Sequence, residues 1–384
     1  MKNRYLCANT LPYMGYIGVR TGKILKIFLA AILLAACASC GRRGGYVSIS
    51  GFAQGGTYLV KLNLDGPDGP VGMKPEKIKE GIDSILLRID NSISGYNKGS
   101  LLSRFNAGET IVPDDIFIEI YKLSYHFHEL TGGAFDVAAG PLFDIWGFGF
   151  KGNSFPSDGQ VEEVRAGCGM SRLVKDIDAA VSDDGTLSQY MLMQGSAEDG
   201  PLVVLNYNAI AQGYSCDLVA RYLYSLGIKD MLIDVGGEIY CDGKNPAGQP
   251  WQIGVDRPVD GNDTPGADLE GVLDSQGRAC GIVTSGNYRK FYVRDGKKFA
   301  HTVDPRSGYP VSHSMLSATV IAADATTADA LATFCMVVGL DDACSFVESS
   351  ELESLVLPEI HALPSLDGYF IYEEDGDMKT WSSL

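Results

Sequence analysis

Two apolar rhythms alternate along this chain, and a fold made of helices alone or strands alone cannot satisfy both. From Tyr46 to Leu62 the pattern alternates loosely around Gly55-Gly56, the period of strands, and predicts an opening hairpin. Beyond it, Ile78, Ile82, Ile85 and Ile89 recur at helical spacing, so Glu76–Asp90 is expected to be an amphipathic helix despite Gly81. A second helix is expected after Pro113, with Asp114 and Asp115 at its positive end and an apolar face through Ile116, Ile120, Leu123, Phe127 and Leu130. Further on, Leu202–Leu205, Met231–Val235, Gly281–Thr284, Lys290–Val293 and part of Val311–Ala323 read as strands, with helices at Tyr214–Leu226 and Thr327–Gly339. Asp256–Gly277 is rich in Asp, Gly and Pro and predicts a surface excursion. The expected class is α+β, a mixed layered architecture that need not be a doubly wound sheet.

The N-terminus carries an address. Residues 1–26 hold Lys2, Arg4, Arg20, Lys23 and Lys26 and no acid, and an apolar run from Ile27 to Ala36 follows. That run is too short to span a bilayer and reads as a secretory signal. It ends in Leu34-Ala35-Ala36-Cys37, which resembles a bacterial lipobox, so Cys37 is the expected lipidated first residue of a mature protein in the cell envelope, tethered to a membrane and facing the periplasm. The expected layout is a signal at 1–36, a tether at 37–45 and a single domain over 46–384. Without its first 36 residues the chain holds 26 basic and 48 acidic side chains, a net charge of −22. Such a surface argues against nucleic acid as a partner. The remaining cysteines show no metal-ligand spacing, and Cys216 and Cys335 fall in apolar helical patterns as buried thiols.

Chemistry-bearing residues collect at the breaks in the pattern. Asp329 and Thr333 stand at i and i+4 on an expected helix and share one face. Such a pair suits a hard cation such as Mg²⁺, which takes oxygen ligands and works with substrate phosphates. A capping box from Thr326 to Asp329 is the rival reading. His301, in His301-Thr302-Val303-Asp304-Pro305, is a base of suitable pKa beside a turn. Thr131 to Asp136 and Gly140 to Gly149 mix glycine with aromatics, which can lie against a ring system or simply pack. Arg104 could answer a phosphate, although an ordinary salt bridge is the favoured reading. The P-loop pattern GxxxxGK[ST] is absent.

Taken in order, these stretches resemble the ApbE family of periplasmic flavin transferases, whose fold is related to the T-fold. The resemblance runs through Leu102-Ser-Arg-Phe-Asn106, Gly133-Ala-Phe-Asp136, Gly140-Pro-Leu142 with Trp146-Gly-Phe148, and Ala209-Ile-Ala-Gln-Gly-Tyr214. It continues through Ile233-Asp-Val-Gly-Gly237, Ser285-Gly-Asn-Tyr288, His301-Thr-Val-Asp-Pro305 and Ala328-Asp-Ala-Leu-Ala-Thr333. Each is modest alone; jointly they are specific.

The resemblance implies an FAD:protein FMN transferase, which cleaves the diphosphate of FAD and joins FMN to a threonine or serine of an acceptor protein, releasing AMP. It implies Mg²⁺ held by Asp329, Thr333 and the backbone carbonyl of Ala209, with His301 as general base. Flavin contacts carry over to Gln54, Tyr96, Ala134, Phe135, Asp136, Asn206, Gln212 and Val303. At three of these the chain departs from the family: Asn206 replaces an aspartate, Gln212 a lysine or glutamate, and Gln54 an entrance methionine. The expected acceptor carries a Thr/Ser flavinylation motif, as a subunit of a respiratory redox complex does. Hydrolysis of FAD to FMN and AMP, or flavin binding without turnover, are the alternatives.

Overall fold

An eight-stranded antiparallel sheet organises the chain, in the order β1-β2-β3-β4-β7-β10-β11-β12. These strands are β1 (Tyr46–Ala53), β2 (Gly56–Asn63), β3 (Met231–Val235), β4 (Glu238–Asp242), β7 (Cys280–Gly286), β10 (Met315–Ala322), β11 (Asp367–Glu374) and β12 (Asp377–Ser382). Two hairpins stand outside it, β5 (Gln252–Asp256) with β6 (Leu269–Asp274), and β8 (Phe291–Arg294) with β9 (Lys297–Ala300). The computed structural model describes residues 45–66, 69–70, 72–148, 155–194, 201–262, 264–288, 291–294, 297–300, 302–349 and 366–384. Cys37 and His301 lie outside the described residues, and residues 45–384 form one compact unit.

Both sheet faces are covered, and the period of two decides what each receives. Val60 and Leu62 of β2, Ile233 of β3, Val283 of β7 and Val320 of β10 face a core shared with helices α1 (Pro75–Ile93), α8 (Ala211–Ser225) and α9 (Ala325–Val338). The intervening Leu232, Cys241, Ile282 and Ile321 face a second core closed by Trp251, Ile253, Val255 and Leu273. The predicted excursion at 256–277 therefore contains β6, and the hairpin it forms with β5 is a lid on that core. Helix α1 follows from the isoleucine spacing: Ile78, Ile82 and Ile89 are sealed from solvent, each contributing about 1.5–3 kcal/mol by burial. Gly81 costs helix propensity and leaves room for the Tyr222 ring, whose hydroxyl would lie 2.3 Å from a Cβ there and would have to move aside.

The remaining helices are α2 (Leu101–Asn106), α3 (Asp115–Leu130), α4 (Gly140–Ile145), α5 (Asp158–Ala166), the single turns α6 (Ile177–Ala180) and α7 (Gln189–Leu192), and α10 (Leu340–Glu348). Helix α3 begins as expected, with the Asp114 side chain accepting from the Phe117 amide at 2.8 Å. Leu202–Leu205 is not a strand. The Asn106 side chain brackets Leu205 instead, donating to its carbonyl at 2.8 Å and accepting from its amide at 3.0 Å, which satisfies the backbone without a ladder.

Candidate active site

The site begins with the anchoring of α9. Its N-cap is Asp324, whose carboxylate accepts from the Thr327 amide at 2.6 Å and hydroxyl at 2.8 Å. Asp217 on α8 accepts from the Ala325 and Thr326 amides at 2.9 and 2.8 Å and from the Thr326 hydroxyl. Two buried acids thus satisfy the first amides of α9. The capping box is overturned: Asp324 caps, Thr326 donates to Asp217, and Asp329 is left to face elsewhere.

Asp329 faces α8. Helices α8 and α9 cross at Gly213, where a Cβ would lie 2.3 Å from the Ala325 carbonyl oxygen and 2.8 Å from the Asp329 Cβ. This approach lets the Gly213 amide donate to Asp329 Oδ2 at 3.0 Å. In an uninterrupted helix that amide would return to Ala209. Gly213 is the third residue of α8, ahead of the first rung from the Tyr214 amide to the Ile210 carbonyl, so Asp329 satisfies a first-turn amide and Gly213 does not take the Ala209 carbonyl. Burial pushes the Asp329 carboxyl up to about 7, against the opposing pull of the Gly213 amide.

Around this corner lies a cavity of about 490 Å³, within the range of small-molecule and cofactor sites. It gathers Tyr96, Ala134, Phe135, Asp136, Asn206, Ala209, Gln212, Val303, Asp329 and Thr333, residues spread over more than 230 positions of sequence. Its walls also include Phe143, Phe148, Asn208, Ser285, Gly286 and Tyr288. Thr302 and Val303 belong to a folded loop: the Thr302 hydroxyl donates to Asn287 Oδ1 at 2.6 Å, and Val303 bridges Pro310. His301 precedes this wall in sequence and lies outside the described residues.

Four of the expected flavin-side residues have partners within the protein. Gln54 is not among the cavity residues. It sits at the β1–β2 turn with φ of 52°, and its side-chain amide donates to the Ser215 hydroxyl. Asp136 lines the cavity, but its carboxylate accepts from the Ala138 amide at 2.8 Å and the Met170 amide at 3.1 Å, and lies 3.2 Å from His128 Nδ1. Burial favours neutral His128, yet the carboxylate outweighs it and raises the pKa. The Ala134 and Phe135 amides are spent on the Thr131 carbonyl and hydroxyl at 3.2 and 3.0 Å. Arg104 pairs with Glu109 at 2.8 Å, the salt bridge favoured from sequence.

Sequence reasoning missed Glu238. It opens β4, lines the cavity, and its Oε2 is sealed from solvent with no hydrogen-bond partner among the described residues. Burial, then the nearby Asp329, hold its carboxyl well above the usual range. Gly236, with φ of 74°, lets it converge with Gln212: a Cβ there would lie 2.7 Å from Gln212 Nε2 and 3.3 Å from Glu238 Oε2. The available signal was an acid directly after Gly236-Gly237 at a strand start. The oxygen set of Asp329, Thr333, Ala209 and Glu238 fits a hard cation better than a soft one. Among the described residues no cluster of three or more His, Cys, Asp or Glu side chains has metal-binding geometry.

Comparison with known proteins places this geometry. The family described as ApbE matches residues 55–356. The FAD:protein FMN transferase of Haemophilus influenzae is 33% identical over 336 residues, covering 86% of this chain and 91% of that protein. Its counterpart in Vibrio cholerae is 32% identical over 338 residues, covering 86% and 92%. Among solved structures, the apo flavinyl transferase ApbE of Pseudomonas stutzeri superposes with a TM-score of 0.69 at 28% identity, covering 88% of this chain and 94% of that one.

Proposed function

We propose, on the premise that this chain belongs to the ApbE family and is an FAD:protein FMN transferase, that it moves the FMN moiety of FAD onto a threonine or serine hydroxyl of an acceptor protein with the help of Mg²⁺. The observation that carries this reading is a single cavity with two kinds of wall. Tyr96, Phe143, Phe148 and Tyr288 offer surface for a flat ring system, and Asp329, Thr333 and the Ala209 carbonyl offer hard oxygens. A substrate that joins an aromatic ring to a diphosphate needs both.

Asp329, Thr333 and Ala209 would hold the ion, which when bound would neutralise diphosphate charge and stabilise the departing phosphate. The protein's own contribution is placement. Gly213 fixes the Asp329 carboxylate, and Asn206 Oδ1, accepting from the Asn208 amide at 3.0 Å, holds the turn that enters α8. The acceptor hydroxyl forms a bond to the FMN phosphorus as the phosphorus–oxygen bond to AMP breaks, roughly in line. His301, as general base, takes the hydroxyl proton, because a neutral hydroxyl is a weak nucleophile.

The lipobox-like stretch ending at Cys37 supports an enzyme tethered to a membrane of the cell envelope and facing the periplasm, where an extracytoplasmic redox subunit with a Thr/Ser flavinylation motif is the proposed acceptor. Among the described residues no helix is long and apolar enough to cross a membrane. The test is incubation with FAD, Mg²⁺ and an acceptor domain bearing that motif, with intact mass to seek covalent FMN and chromatography to measure AMP. AMP in step with FMN-acceptor supports transfer. AMP with free FMN only is the outcome of a hydrolase, and FAD held without AMP release is that of a binding protein; either refutes the proposal.

A further inference from the structure

We infer that Cys241 and Cys280 form a disulfide-closing pair that pins the two strands beneath the active site. They are directly opposite residues on the neighbouring antiparallel strands β4 and β7, with sulfurs 3.8 Å apart. Both are buried, at 0% and 3% exposure, in the core that Trp251 closes on the sheet face away from α8 and α9. Opposite residues of an antiparallel pair bring their Cβ atoms to about 4.5–5.5 Å, and a disulfide needs about 3.5–4.5 Å, so side-chain rotation and a small approach of the strands suffice. Cys216, by contrast, is occupied with the Glu238 carbonyl at 3.1 Å.

Position gives the pair its consequence. Strand β4 begins with Glu238, and β7 ends with Thr284, Ser285 and Gly286, all of them cavity residues. A covalent link at Cys241 and Cys280 therefore holds together the two strands that carry this floor.

Closure is a two-electron thiol–disulfide exchange. One of the two cysteines, as its thiolate, attacks one sulfur of an oxidised small-molecule disulfide and expels the first thiolate. The other then gives up its proton, and its sulfur attacks the protein sulfur of the mixed disulfide and expels the second. Two protein thiols are oxidised to one S–S bond, and the S–S bond of the oxidant is reduced to two thiols. Because both sulfurs are buried, exchange takes place during folding, before the β5–β6 hairpin seals the core.

The experiment refolds fully reduced protein in oxidised or reduced glutathione, alkylates the remaining thiols in denaturant, and maps peptides by mass. Oxidative refolding is expected to yield a Cys241–Cys280 linked peptide. Closing a loop with 39 positions between its ends is expected to raise Tm by about 5 °C over the same protein in dithiothreitol. The Cys241→Ala/Cys280→Ala double variant should show no such redox-dependent shift. Complete alkylation of both cysteines after oxidative refolding, or their linkage only to other cysteines, overturns the inference. So does an unchanged Tm in linked protein. Should the double variant fail to fold, peptide mapping and Tm of the wild type decide alone.

Discussion

Replacing Asp329 by asparagine in metal-free protein should change the pH dependence of stability in a calculable way. Asp329 is 4% exposed, and burial raises its carboxyl from 3.8 to about 7. A group whose folded pKa is raised contributes its stability in full below the unfolded value and loses it as pH climbs through the folded one. Between pH 5 and pH 7 the wild type should therefore lose about 2 kcal/mol, at up to about 1.4 kcal/mol for each pH unit. Above pH 7 the loss from this group levels off. Asparagine cannot ionise and loses none of it. Its weaker bond to the Gly213 amide costs about 1 kcal/mol, with little dependence on pH. The stability of Asp329→Asn relative to wild type should thus improve by about 3 kcal/mol from pH 5 to pH 8, roughly 4 °C in Tm for a domain of this size. The assay is thermal unfolding in EDTA at pH 5, 6, 7 and 8. Asp217, pushed up to about 8 by burial and then by Asp324, is common to both proteins and largely cancels in the difference. Glu238 faces the same space and is held up partly by Asp329, so a Glu238→Gln background repeats the comparison without that second proton. Parallel Tm-against-pH curves in that background would refute the reasoning.

Three further outcomes follow from the same geometry. Thr333→Ala should lower the Mg²⁺-induced rise in Tm and turnover together, with Mg²⁺ affinity down about tenfold, and unchanged affinity by calorimetry would remove Thr333 from the cation site. His301→Ala should retain FAD binding by fluorescence while covalent FMN on the acceptor falls at least a hundredfold; normal transfer would end its assignment as base. At Gly281 a Cβ would lie 2.4 Å from the Ala325 amide nitrogen and Cα and from the Asp324 carbonyl carbon, all of them backbone. Gly281→Ala should therefore cost at least about 3 kcal/mol, seen as a lowered denaturant midpoint, and an unchanged midpoint would show that α9 shifts freely over β7.

Much of the architecture was legible because it depends on local periods. The isoleucines of α1, the aspartates that open α3 and the Gly55-Gly56 hairpin each announce an element within a dozen residues. Leu202–Leu205 misled because an apolar run states that a segment is buried but not what satisfies its backbone. Asn106, about a hundred positions away, does that here. The cap of α9 was misplaced for a related reason: Thr326 and Asp329 fit the local pattern, but Asp217 on another helix claims the Thr326 hydroxyl.

For the site, sequence determined the inventory and tertiary structure decided the partners. Residue types at fixed spacings carried the family resemblance and nominated Asp329, Thr333, Ala209 and the flavin-side residues. Only the fold bonded Gln54 to Ser215, turned the Asp136 carboxylate to the Met170 amide, and left Glu238 Oε2 buried beside Asp329 without a hydrogen-bond partner among the described residues. The physical reason is range. Helix and strand periods act over a few residues and are written along the chain. A carboxyl's ionisation and a carbonyl's availability depend on which atoms lie within a few ångströms, and here the crossing of α8 and α9 at Gly213 sets both.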